Sequence, residues 1–221
     1  EVCKLCANDC TITYALTANH NSIDTAPSWG YLCGRDPEEK NVRVSNHFEL
    51  FRKRERLWRH AGTVTSLPKD APSIGIPRAL LTHTHLPLWR RFFGELGIRV
   101  ILSKPTNDKT LLQAEDFIGS DYCYPLKLAH GHVRELSANP DVKHIFLPYV
   151  TQGEPHDDKF KRSVFCPYNI SFPSIAKTAG LEKPEGKEIL TAVVNFQFDL
   201  DTIARLLMDG LSRTFKLNKG A

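Results

Sequence analysis

Residues 73–102 read SIGIPRALLTHTHLPLWRRFFGELGIRVIL. Two short apolar runs, Ser73–Ile76 and Arg99–Leu102, flank a stretch with apolar residues at helical spacing, and Gly97 is suited to end that helix. A strand, a helix and a second strand in this order are typical of a βαβ unit in a parallel sheet. This stretch therefore predicts the beginning of an α/β domain.

The same alternation continues towards the C-terminus. The further predicted elements are helices over 107–118, from Pro125 to about 137, over 174–179 and over 199–217, with strands over 143–150 and 189–196. The predicted fold class is α/β, with a doubly wound, mainly parallel sheet whose ligands gather beyond the carboxyl ends of the strands. The predicted organisation is a cysteine-rich metal-binding segment over 1–36, a connector over 37–70 and a Rossmann-like α/β domain over 71–221.

Composition indicates a globular chain that does not enter a membrane. Of the 221 residues, 41% are hydrophobic and 24% are charged, and no apolar run is long enough to cross a bilayer. No secretory signal is visible, so we expect a cytoplasmic, reducing environment. The net charge is +4, and the basic run at 52–59 carries a charge of that size by itself. We interpret this run as a solvated connector helix, and nucleic-acid binding as unlikely.

Four of the six cysteines, Cys3, Cys6, Cys10 and Cys33, crowd into the first 33 residues. Three close thiolates and a fourth after a Gly-Tyr-Leu turn supply the soft ligands that zinc or an iron-sulfur cluster needs. The grouping of three ligands favours a 4Fe-4S cluster, with zinc as the alternative. The first 36 residues also resemble the N-terminal cluster segment of molybdopterin oxidoreductases, but that resemblance does not continue downstream.

The α/β domain contains two further cysteines in predicted loops. Cys123 stands directly before a predicted helix, and Cys166 follows the third strand and a long polar loop, so both are expected at the same edge of the sheet. Lys127 lies one turn after Cys123 and is a candidate to neutralise a bound anionic group. His130 and His132 point to different faces of the same helix, so we expect satisfied polar side chains there rather than a metal site.

Several stretches of this domain resemble a known family. The resemblance is carried by Ile74-Gly75-Ile76-Pro77-Arg78-Ala79-Leu80, Cys123-Tyr124-Pro125-Leu126-Lys127-Leu128-Ala129-His130-Gly131-His132-Val133, Ile145-Phe146-Leu147-Pro148 and Cys166-Pro167-Tyr168. These look like the domain that follows the ATPase modules in large CoA-enzyme activase proteins, which are related to 2-hydroxyacyl-CoA dehydratase and benzoyl-CoA reductase systems. The Cys3 to Cys33 segment is similar to the cysteine-rich stretch that precedes that domain.

The resemblance implies an ATP-driven electron-transfer assembly. In it, an activase ATPase domain or subunit delivers low-potential electrons to a cluster-bearing component that acts on a CoA thioester. This chain would belong to that component and would be inactive alone. Cys123 and Cys166 would be cluster ligands, and the remaining ligands would come from other sequence of the same protein, another subunit or an exogenous ligand. The alternative is a zinc-stabilised, non-enzymatic interaction or nucleic-acid-binding module. The chain contains no P-loop and no dinucleotide fingerprint, so no nucleotide site is expected within it.

Overall fold

The structure is a computed structural model that describes residues 1–4, 8–19, 22–23, 26–32, 50–64, 67–68, 70–155, 157 and 162–215. The chain divides into two compact units, Glu1–Arg52 and Lys53–Ala221. Within the described residues, no helix is both long enough and apolar enough to cross a membrane.

The N-terminal unit contains a small antiparallel pairing. Strand β1 (Thr13–Tyr14) pairs with β2 (Ser28–Trp29), and Val2 forms a bridge with Thr11. In its described part, the buried apolar side chains are those of Cys10 and Ile12. These two side chains alone provide little of the stability that a small unit needs.

The remaining elements are six helices and six short strands interspersed along the described part of the chain. In chain order they are α1 (Leu50–His60), β3 (Ser73–Ile76), α2 (Thr82–Glu95), β4 (Arg99–Leu102), α3 (Asp108–Leu112), α4 (Tyr124–Ala138), β5 (His144–Phe146), β6 (Tyr149–Gln152), α5 (Pro167–Thr178), β7 (Glu188–Leu190), β8 (Val193–Asn195) and α6 (Leu200–Phe215). Short 3-10 turns lie at Glu115–Phe117 and Lys183–Glu185.

Four of these strands form a parallel sheet in the order β4-β3-β5-β7. The first strand along the chain, β3, lies between the second and the third, so the direction of winding reverses between β3 and β5. In doubly wound sheets this reversal opens a crevice at the carboxyl ends of the two strands, where ligands bind. The predicted α/β fold with a mainly parallel sheet is confirmed.

Helices cover both faces of the sheet. One apolar cluster joins Ile74 and Ile76 of β3 to α2 and α6, and a second joins Ile145 of β5 to α4 and α5. Consecutive residues of a strand point to opposite faces, which is why Ile145 and Phe146 belong to different clusters. The sheet is therefore the middle layer of three, as a doubly wound fold requires.

Leu147 and Pro148 interrupt what was predicted as one strand over 143–150. β5 pairs with β7 before the interruption and β6 pairs with β8 after it, both in parallel. Backbone hydrogen bonds continue across the gap, from Leu147 N to Leu190 O at 3.0 Å and from Tyr149 N to Ala192 O at 2.8 Å. Pro148 has no N–H to donate, so the ladder breaks without a change of direction.

Two predicted helices have different bounds. The prediction over 174–179 began too late, because α5 starts at Pro167, and a proline is well suited to the first turn of a helix. The prediction over 107–118 was too long, because α3 ends at Leu112. A close approach accompanies this short helix: a Cβ on Gly131 of α4 would lie 1.7 Å from the Thr110 carbonyl oxygen.

Part of the predicted connector packs against the α/β layers within the second unit. Trp58 of α1 is buried, with the Arg78 guanidinium 5.0 Å above its ring and the His83 ring stacked at 5.5 Å. Arg78 also pairs with Glu55 at 3.1 Å. Arg90 of α2 donates to the Trp58 carbonyl at 3.1 Å, a favourable position for a cation at a helix C-terminus.

Candidate functional site

Cys123 and Cys166 occupy equivalent places in the fold. Each is the residue directly before a helix, Cys123 before α4 and Cys166 before α5, and each is followed by a proline in the first helical turn. Both thiols are free and exposed, and neither makes a side-chain hydrogen bond to its helix. The side chains of both residues are therefore available to a ligand at the start of a helix.

Aromatic contacts bring these two helix starts together. The ring of Tyr122, the residue before Cys123, lies 5.9 Å from the ring of Tyr168 in the first turn of α5. One turn after Tyr168 in α5, the ring of Phe172 lies 5.4 Å from the ring of His130 in α4. The His130 ring also stacks on Tyr122 at 5.6 Å. Both helices thus begin side by side at the carboxyl edge of the sheet, as predicted for this pair of loops. That the two sulfur atoms share a ligand stays a prediction.

The local electrostatics favour an anionic group at this place. The N-terminal ends of the two helices carry partial positive charge. The proline in the first turn of each helix has a fixed φ that is favourable at a helix start. Lys127, the third candidate, donates to Asp121 Oδ1 at 2.7 Å, and this bond holds the pKa of the Asp121 carboxyl below its ordinary value. Lys127 is thus already paired within the domain, although it stands one turn from Cys123.

The two histidines of α4 are buried and have different surroundings. His132 is hydrogen-bonded through Nδ1 to Ser103 Oγ at 2.9 Å and through Nε2 to Thr106 Oγ1 at 3.0 Å. Ser103 Oγ also accepts from the Arg78 amide at 2.8 Å. This network ties the carboxyl ends of β3 and β4 to α4, and it confirms that His132 is a satisfied polar residue.

His130 departs from that expectation. Its Nδ1 is hydrogen-bonded to the Leu126 carbonyl at 2.8 Å, whereas Nε2 is buried without a partner in the described part of the chain. Since a carbonyl only accepts, Nδ1 carries the proton and Nε2 is an unused acceptor. Burial lowers the pKa of His130, so the ring is neutral at physiological pH.

A cavity of about 40 Å³ lies at the point where the sheet winding reverses. It is lined by Ile76, Pro77, Ala79, Leu80, Leu81, Thr82, Trp89, Phe146, Leu147, Pro148, Val150, Asn169, Phe172 and Pro173. Leu80 adopts a left-handed backbone conformation with φ of 52°, which costs a bulky residue about 1–2 kcal/mol. This cavity was not predicted from the sequence, in which Pro77 and Pro148 after the two central strands were the available signal.

The other four predicted ligands belong to the N-terminal unit, and the structure describes two of them, Cys3 and Cys10. Cys3 N donates to the Cys10 carbonyl at 2.8 Å, so these two cysteines lie in adjacent paired segments. Gly30, three residues before Cys33, approaches the strand after Cys10 so closely that a Cβ would lie 2.4 Å from the Thr11 carbonyl oxygen. Cys6 and Cys33 lie outside the described residues, and the four-thiolate site stays a prediction.

Thiols are suitable ligands for soft metals, but the described residues provide too few of them in one place to complete a metal site. Considering only side chains that the structure describes, no three of the His, Cys, Asp and Glu groups are arranged to hold a metal ion. Cys123 and Cys166 provide two thiol ligands, whereas a 4Fe-4S cluster takes four. Any cluster at this edge therefore requires ligands from elsewhere.

Comparison with known proteins identifies the family. A family model described as the CoA enzyme activase uncharacterised domain matches residues 73–221, which is well over half of the chain. The chain belongs to this family. The resemblance seen in the sequence is thereby confirmed, and the match begins at the first residue of β3. Searches of curated proteins and of solved structures find no match.

In this CoA enzyme activase domain, the match includes both exposed cysteines, the α4 histidines and the cavity. The residues before 73, including Cys3, Cys6, Cys10 and Cys33, lie outside it. The hydroxyl partners of His132 and the aromatic pair Tyr122–Tyr168 were not predicted from the sequence. Their positions depend on contacts between segments that are distant along the chain.

Proposed function

We propose that this chain is an iron-sulfur-binding electron-transfer module of an ATP-dependent CoA-thioester reductase or dehydratase-activase system. The observation that supports this most is the pair of free, exposed cysteines at two adjoining helix starts on the ligand edge of the sheet. Membership of the CoA enzyme activase domain family supports the assignment to an activase-related system. A 4Fe-4S cluster would supply one-electron transfer at low potential.

In this proposal, Cys123 and Cys166 hold one side of a cluster, and other cluster-ligating domains supply the remaining ligands. The two helix N-termini stabilise the negative charge of the bound group. Lys127 remains paired with Asp121 and contributes positive charge one turn away. The partners are an activase ATPase domain or subunit and, at the substrate end, a CoA thioester, all in a cytoplasmic, reducing compartment.

The N-terminal cysteines form a second site in this proposal. Cys3, Cys6, Cys10 and Cys33 bind a 4Fe-4S cluster, with zinc as the alternative. The pairing of Cys3 with Cys10 and the close approach of Gly30 to Thr11 support a compact ligand loop. A metal there would provide the stability that the small core does not.

Anaerobic reconstitution with iron and sulfide tests the proposal. We expect a brown protein whose iron and sulfide content falls in C123S/C166S and, separately, in C6S/C33S. The variant K177Q, at an exposed lysine in the last turn of α5, keeps both thiols; it is the control and is expected to keep the cluster at the α/β edge. An unchanged iron content in C123S/C166S, with iron still lost in C6S/C33S, would remove the α/β site and leave only the N-terminal one.

One observation favours a second candidate, a zinc-stabilised interaction module. The basic residues Lys53, Arg54, Arg56 and Arg59 of α1 are exposed, although Arg59 also pairs with Glu55. A colourless protein with one zinc, which binds DNA or RNA more weakly as salt is raised, would support this candidate over electron transfer. Reversing the four charges would then abolish the binding.

A further inference from the structure

The cavity at the winding reversal has the features of a binding site in its own right. It lies between the carboxyl ends of β3 and β5, where doubly wound sheets bind ligands, and among the residues that the structure describes no charged side chain lines it. We propose that it binds the end of a short, uncharged aliphatic chain that carries a carbonyl or amide group. This inference goes beyond electron transfer and does not depend on a cluster at Cys123 and Cys166.

The size and walls of the cavity define the apolar part of the ligand. A volume of about 40 Å³ accommodates roughly three water-sized groups. Trp89, Phe146 and Phe172 provide aromatic walls, and all three are buried. Water in such surroundings has few hydrogen-bonding partners, whereas two to four alkyl carbons would contact the walls on all sides.

Asn169 defines the polar part of the ligand. Its half-buried side chain lies on the cavity wall and makes no hydrogen bond to any residue in the described part of the chain. Pro173, one turn later in α5, has no N–H, so the Asn169 backbone carbonyl also lacks its usual helical donor. A carbonyl on the ligand can accept from the Asn169 amide, and an amide N–H on the ligand can donate to Asn169.

The backbone around the cavity is held in an unfavourable conformation. Leu80, a branched residue with no hydrogen-bonding side chain, has a positive φ and contributes to the lining. Strained residues of this kind persist where the surrounding structure fixes them, and they occur most often at ligand sites. The turn that contains Leu80 also forms the hydrogen bonds that begin α2, so one turn both lines the cavity and starts the helix.

Asn169 of the cavity wall and Cys166 lie close together at the start of α5. Asn169 follows Cys166 by three residues, so both lie on one face of the helix, and Pro173 continues that face one turn further. A ligand in the cavity would therefore end about one helical turn from the Cys166 thiol. If the Cys166 thiol holds a cluster, the ligand in the cavity would lie next to that cluster.

A series of straight-chain amides, from acetamide to hexanamide, tests the site in the full chain. Binding is followed by NMR through the Trp89 indole and the Asn169 side-chain amide. We expect the affinity to rise about fourfold for each added methylene as far as butanamide, and to stop rising when the chain exceeds the cavity. Saturable shifts at both groups, with this length dependence, support the proposal.

Two variants and a matched control separate the cavity from general apolar binding. In A79V, added carbons fill the cavity, and we expect butanamide to bind about tenfold more weakly. A179V makes the same change on an alanine that packs against the same apolar cluster but does not line the cavity, and should bind as the wild type does. N169L should weaken the amides about fivefold while the length dependence remains.

The proposal is overturned if no amide produces saturable shifts at Trp89 and Asn169, or if A79V and A179V bind butanamide equally well. Thermal unfolding of each variant shows that the fold is retained. Because binding is measured without iron, a failure here leaves the cluster proposal intact. Conversely, loss of iron binding in C123S/C166S says nothing against the cavity.

Discussion

The buried imidazole of His132 should make this fold sensitive to mild acid. Burial, and next the nearby positive charges of His83 and Arg78, lower the pKa of His132 from its ordinary 6.5 to about 4. Below about pH 6.5 the unfolded chain therefore binds a proton at this residue that the folded chain does not. Stability contributed by the neutral ring is complete above the unfolded pKa and is lost as the pH falls towards the folded pKa.

The size of the effect follows from the two pKa values. Between about pH 7 and pH 5, the His132 proton alone should reduce the free energy of unfolding by roughly 2 kcal/mol. We expect H132N to be about 1–3 kcal/mol less stable than wild type at pH 7, because an asparagine can reach only one of the two hydroxyl partners. At pH 5 the two proteins should have nearly equal free energies of unfolding, since the variant has no proton to take up at this position.

Urea unfolding at the two pH values, followed by circular dichroism and tryptophan fluorescence, measures this difference. His83, His85 and His130 also have lowered pKa values, but they are present in both proteins, so their effects largely cancel in the comparison. H60N, at an exposed histidine of α1, is the control and should follow the wild type. The reasoning is refuted if wild type and H132N lose equal stability between pH 7 and pH 5.

Three further substitutions test separate contacts. G131A places a methyl group against the Thr110 carbonyl and should cost about 3 kcal/mol or more in chemical unfolding, whereas G119A, with open space around it, should stay within about 0.5 kcal/mol of wild type. W58A removes the ring that contacts Arg78 and His83, and should lower the free energy of unfolding by about 3–5 kcal/mol and make α1 sensitive to protease. L57A, at a side chain that is 73% exposed, is the control and should have neither effect. G30A should impair metal binding by the N-terminal unit without changing the unfolding of the α/β unit; equal metal content in G30A and wild type would contradict the proposed ligand loop.

Local pattern was sufficient for much of the α/β fold. β3 and β4 lie where their apolar runs predicted them. Asp199, the first residue of the helix predicted over 199–217, accepts from the Thr202 amide at 2.9 Å and so caps α6. The start of α5 was missed: the predicted helix over 174–179 began seven residues after the observed start at Pro167. Pro167 occupies the first turn, where its missing N–H costs nothing, and Pro173 is accepted inside the helix at the loss of one hydrogen bond.

The candidate site was predictable only where it depends on chain order. Parallel strands bring the loops with Cys123 and Cys166 to one edge, which is why the sequence could place both helix starts there. The Tyr122–Tyr168 contact and the Ser103–His132–Thr106 network depend on packing between distant segments. The cavity depends on the same packing, and apart from Pro77 and Pro148 the residues of its lining look in the sequence like ordinary core residues.

The position of His130 connects the two features of the carboxyl edge. Its ring contacts Tyr122, which precedes Cys123, and Phe172, which lines the cavity. The ring is buried and neutral, so it fills the space between α4 and α5 without adding charge beside either feature. Helix α5 thus contributes both to the cavity wall, through Phe172, and to the contact beside the two cysteines, through Tyr168.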